Sequence, residues 1–339
     1  MGLSEDAEKV YWTKKIVWDD TNWIGGNVFC SMDLKTGTVE EQAAPECPWE
    51  YPIVHDTAYR EDVLYFLTTW FEDPDIERLT VCAWNLKENV LTPMYTHDLG
   101  SAMETAYQFG SFRQDAVSGE ITFAVMETGS KRLKTLIRVD PESGRVDTCE
   151  VAFPLKGDSE AYNDWISGCC LWNDAGDRIL FGFRENLYAL DREGELMFTL
   201  PLEEEPAALR YCPDERYFLM ITSSAQLLKL DARTGTLVAR LDLKEYHNEV
   251  SGLDASFCWQ DMGEADLLIA TGDEAFQVDV SGNQLSLRAV INHCFGYDAG
   301  ADRFLLAEKG SQSTGIGSFC RYRREDLVRM AREILNIHP

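Results

Sequence analysis

Four of the chain's five histidines stand beside a short polar residue: His55-Asp56, His97-Asp98, His247-Asn248 and Asn292-His293. Imidazole and carboxylate are ligands for a divalent metal, and a metal so held activates water or polarises a carbonyl. Glu160, Asn163 and Asp164 offer the same donor types in another stretch. Other chemistries have no residue pattern. Gly-x-Ser-x-Gly, His-Glu-x-x-His, Gly-x-x-x-x-Gly-Lys-Ser/Thr and Gly-x-Gly-x-x-Gly are all absent. Ten cysteines include no Cys-x-x-Cys, and Cys30, Cys82 and Cys320 lie inside apolar runs. They are expected to be reduced, buried thiols acting as small hydrophobes.

The elements that would position these groups repeat along the chain. An apolar strand, an Asp, a Gly-containing turn and a second strand recur at Asp33-Leu34-Lys35-Thr36-Gly37, Asp140-Pro141-Glu142-Ser143-Gly144 and Asp191-Arg192-Glu193-Gly194. The pattern returns at Asp231-Ala232-Arg233-Thr234-Gly235 and Asp279-Val280-Ser281-Gly282, with a degenerate copy at Asn85-Leu86-Lys87-Glu88-Asn89. Asp caps such a turn with its side chain, and Gly supplies the positive φ of a tight return. A second turn precedes most copies, as at Asn173-Asp174-Ala175-Gly176 and Cys212-Pro213-Asp214-Glu215. Each unit of roughly 48 residues then holds four short strands, a length suited to propeller blades rather than helical solenoids.

These turns resemble WD-repeat-like and quinoprotein-like β-propeller blades over nearly the whole chain. The resemblance implies an all-β fold: one β-propeller over residues 1–339, with seven four-stranded blades, or six as the alternative. The first unit is expected to lack its inner strand. A helix over 325–337, with Leu327, Met330, Ala331, Ile334 and Leu335 on one face, is expected in place of the last outer strand. Arg321, Arg323, Arg324, Arg329 and Arg332 decorate that region, which reads as an end cap or a docking helix.

In propellers of this kind the histidine pairs would sit where one outer strand hands over to the next inner strand, around a channel mouth. Two functions follow. The first is a non-catalytic module binding a protein or small ligand on its loop face, with no cofactor. The second is a metal-assisted hydrolase or lyase, resembling propeller lactonases in outline, with a divalent metal at the channel. The polar residues also have a plain structural use, since short polar side chains at strand starts satisfy backbone groups.

Charge narrows the partners. Thirty-one Lys+Arg against 58 Asp+Glu give a net charge of −27, which argues against nucleic acid and anionic membranes. The acidic N-terminal segment, lacking an apolar run, points to a cytoplasmic protein. Loops between second and third strands are expected to be long in the first, second and last units. Ring closure would make those three units neighbours. Trp18, Trp23, Trp70 and Phe71 on these loops are the expected partner-binding anchors, facing a basic or hydroxyl-rich partner.

Overall fold

The computed structural model describes residues 2–3, 9–15, 27–42, 45–46, 48–73, 76–101, 107–114, 118–127, 132–151, 170–183, 185–204, 206–246, 258–262, 266–270, 274–292, 294–298, 303–309 and 316–323. These form seven antiparallel sheets, six of four strands and one of three, each built from consecutive strands in meander order. Among the described residues the sole helical element is a 3-10 turn, Leu243–Tyr246. No helix there is long and apolar enough to cross a membrane. The helix expected over 325–337 lies outside the described residues.

Two compact units divide the chain, Met1–Ile166 with Asp191–Glu195, and Ser167–Leu190 with Leu196–Pro339. In the first unit, the second sheet comprises Glu50–Arg60, Val63–Asp73, Ile76–Asn85 and Val90–Ser101. Its middle strands are apolar on both faces because both are covered. Leu64, Phe66, Cys82 and Trp84 pack with Tyr11 and Phe29 of the first sheet. Tyr65, Leu67, Leu79 and Val81 pack with Phe112, Ile121, Phe123 and Val125 of the third. Alternation sends successive side chains to opposite faces, so a strand covered twice reads as an unbroken apolar run. The second unit repeats the scheme. Leu180 and Leu187 of the fourth sheet meet Phe218 and Met220 of the fifth. Leu219 and Ile221 of the fifth meet Phe276 and Val278 of the sixth.

The Asp–Gly signature forms the hairpin between third and fourth strands. Asp33 Oδ1 accepts the Lys35 and Thr36 amides at 2.8 Å each, and Gly37 N–H donates back to the Asp33 carbonyl at 2.8 Å. Asn85 does the same with Lys87 and Glu88, and Asn89 adopts φ 56° where the other copies have Gly. Asn is among the few side chains that tolerate that region. One expectation needs correction. The first sheet has an inner strand, Gly2–Leu3, paired with Tyr11 and Val10. Two residues are too few for a periodic signal.

Candidate functional site

The second sheet is the longest-stranded in the first unit. Its middle strands run 11 and 10 residues, against 7 and 7 in the first sheet and 7 and 8 in the third. At ~3.3 Å per residue the added ladder is roughly 7–13 Å. Sequence reading places Trp70 through Ile76 in a loop. The register instead continues through Trp70↔Arg78, Phe71↔Glu77 and Asp73↔Ile76. Thr, Trp and Phe suit a pleated surface, and this outweighs the turn signal of Glu72-Asp73-Pro74. Exposure rises towards the tip: Thr69 is 2% exposed, Trp70 and Phe71 are half-buried, Glu72 and Asp73 are exposed.

Trp49 and Trp70 stack at 5.7 Å between ring centroids, with planes 20° apart. Trp70 is held from below, its Nε1–H donating to Thr80 Oγ1 at 2.9 Å, with Thr96 Oγ1 a further 3.1 Å on. Beside the stack, Arg78 donates from Nε and Nη2 to Glu72 Oε2 at 2.8 and 2.6 Å, and its Nη1 meets Asp98 Oδ2 at 2.6 Å. Hydrogen bonds to Glu72 and then Asp98 raise the guanidinium's pKa further. Glu77, half-buried across from Phe71, has its carboxyl pKa raised by burial. The tip thus offers a fixed aromatic pair beside one arginine that holds two carboxylates, Glu72 and Asp98, with Asp73 exposed at the strand end.

The histidine pairs are placed differently from the expected collar. His55 and Asp56 lie inside the first strand of the second sheet, and His97 and Asp98 inside its fourth, at the opposite edge. Three strand spacings of ~4.8 Å separate those edges by about 14 Å, too far for one metal. His55 Nε2 and Thr69 Oγ1 are 2.9 Å apart, and Tyr95 hydroxyl and His97 Nδ1 are 2.9 Å apart. Leu79, fully buried, stands between Thr69 and His97 in the register. Asp56 accepts the Thr57 amide at 2.7 Å, and Asp98 is engaged by Arg78. Asn292 ends the strand Ser286–Asn292 opposite Glu274. Glu160, Asn163, Asp164, His247, Asn248, His293, Trp18 and Trp23 lie outside the described residues. Among the described residues no three His, Cys, Asp or Glu side chains come together as a metal site. Sequence reasoning missed Trp49, Arg78 and Thr80; the alternation Thr68, Trp70 against Arg78, Thr80 was the available signal.

No protein-family model matches the sequence, and no curated protein is similar to it in sequence. Several solved structures resemble the chain over most of its length. A chain of the mitotic checkpoint complex is 11% identical, with 93% of this chain and 94% of that chain covered and a TM-score of 0.48. A protein of unknown function from Bacteroides caccae is 11% identical, covering 88% and 95%, at TM-score 0.44. The computationally designed Ika8 protein is 9% identical, covering 87% and 90%, at TM-score 0.45. Likenesses this distant carry nothing about function.

Proposed function

We propose that the seven meanders are blades of one β-propeller scaffold, and that this scaffold is a non-catalytic binding module of the cytoplasm. Its ligand is a basic, extended segment of a partner protein, taken at the tip of the second sheet. The observation that carries this reading is the Trp49–Trp70 stack, held by Thr80 beside the carboxylates Glu72 and Asp98, with Asp73 exposed at the same strand end. Immobilised aromatics lose little entropy on binding, and an indole face beside carboxylates suits Lys or Arg through charge and cation–π attraction. The side-by-side packing of sheets within each unit supports the blade reading.

Titration of the full chain with a labelled Lys/Arg-rich decapeptide, and with its Asp/Glu counterpart, tests the site. The basic peptide should bind and the acidic one should not. Trp70→Ala should weaken binding about tenfold and Glu72→Gln with Asp73→Asn about threefold, both with an unaltered far-ultraviolet spectrum. The same charge change at Glu142 and Glu193, on turns elsewhere, should leave binding unaltered. Equal weakening by the two charge pairs would mean that the −27 chain merely attracts cations, and would remove this site.

A further inference from the structure

Arg78 stands directly opposite Trp70 across the ladder, with Asp98 on its other side. Side chains so placed are neighbours, their Cβ atoms about 4.5–5.5 Å apart. The guanidinium is therefore a resident cation beside the indole pair, the same type of group that a basic ligand would bring. How it is held decides what else fits. Nε and Nη2, one edge of the fork, both donate to a single oxygen, Glu72 Oε2, at 2.8 and 2.6 Å. Nη1 meets Asp98 Oδ2 at 2.6 Å. Among the described residues Glu72 bonds nothing but Arg78, so its second oxygen, Oε1, accepts no bond. The Arg78 side chain is 23% exposed against 51% for Glu72, so the carboxylate is the more open of the two to solvent. A guanidinium binds a carboxylate best through two parallel bonds, one to each oxygen. An ammonium is a compact point charge, for which one acceptor suffices. Arg78 has taken one oxygen of Glu72 with two donors and leaves one.

We infer that Arg78 is the specificity-determining residue of this site, and that the cation it admits is a lysine ammonium rather than an arginine guanidinium. The inference rests on the reading above, that a basic segment binds at the tip. The ammonium lies against the indole pair and donates to Glu72 Oε1, while Arg78 holds that carboxylate in place through Oε2. A ligand arginine cannot close a two-bond fork on Glu72, because Arg78 already occupies half of it. Attraction to an indole face is open to both cations, so the carboxylate decides between them.

Two fluorescein-labelled decapeptides test this, alike except for one central Lys or Arg among uncharged residues. Each is titrated into the full chain in about 0.15 M salt, the physiological strength. The lysine peptide should bind about threefold tighter. Arg78→Gln releases both oxygens of Glu72, and the preference should then disappear or turn to arginine. A residue that merely braced the sheet would weaken both peptides alike, and that result would overturn the inference. If Arg78→Gln fails to fold, Glu72→Gln, at the exposed strand end, should bring the lysine peptide down to the affinity of the arginine peptide. Equal binding of the two peptides by the unaltered chain, or a lysine preference that survives either substitution, overturns the inference and leaves the binding reading standing. Binding of neither peptide also overturns the inference; the binding reading falls with it only if the Lys/Arg-rich decapeptide fails too.

Discussion

Lys229, on the fifth sheet, donates its ammonium to the carbonyl of Gly282 at 2.8 Å, in the hairpin turn of the sixth. The same nitrogen donates to the Val280 carbonyl at 2.6 Å and lies 4.9 Å from the Tyr217 ring centroid. The residue is 3% exposed, so the bonds form away from water. Lys229→Met keeps the stem and leaves two carbonyls without this donor. The expected cost is about 1–3 kcal/mol, read as a lower urea midpoint at unchanged slope. A loss under ~0.5 kcal/mol would mean that water takes over both carbonyls.

Acid should loosen the hairpin turns. The Ser143 hydroxyl, donating to its side chain, holds the Asp140 carboxyl below its usual value, and the Thr36 amide does so for Asp33. A carboxylate whose folded pKa is lowered contributes stability above the ordinary value of 3.8, and that contribution is lost as pH falls through the folded value. Stability measured from pH 6 downward should therefore fall steeply below about pH 4. Asp140→Ala should cost about 1 kcal/mol at neutral pH and make that fall shallower.

His55 should remain neutral well below the ordinary imidazole range. Burial against the sheet pushes its pKa down to about 4 from 6.5, although the residue's outer edge is exposed. Between those values the unfolded chain binds a proton that the folded ring refuses, so folding weakens as pH drops from 6.5 towards 4. Contact with solvent discounts the effect to under ~1 kcal/mol. Proton NMR of the ring should give a midpoint well below 6.5, and His55→Gln should flatten the stability profile in that window. A midpoint near 6.5 would show the ring to be fully hydrated.

Gly37 and Gly235 occupy the same turn position at φ 71° and 68°. A Cβ on Gly37 meets nothing within 4 Å, whereas one on Gly235 lands 2.9 Å from Phe198 Cε2. Gly37→Ala should cost about 1 kcal/mol of backbone strain alone. Gly235→Ala should cost more, because a packed ring must also move. Equal thermal shifts for the two would show that Phe198 rotates aside freely.

The turns were legible because their chemistry is local: Asp, two following amides and a positive-φ residue lie within five positions. Strand length was not legible in the same way. Glu72-Asp73-Pro74 signals a turn, yet Trp70 and Phe71 belong to the ladder because their cross-strand partners Arg78 and Glu77 decide the matter. His97 was assigned to a junction for the same reason; its strand runs on to Ser101. The Trp49–Trp70 contact joins residues 21 positions apart across a strand pair, and nothing in either residue's neighbourhood announces the other.

Every sheet is built from strands consecutive in the chain. Contact order within a sheet is consequently low, and loop closure costs little for each new strand. A ribosome adds roughly 5–20 residues per second, so a sheet of about 50 residues takes several seconds to emerge. A hairpin zips in about 1–10 μs. Each meander can thus settle its register before the next, similar one exists, and synthesis itself guards against strands of one repeat pairing with those of another.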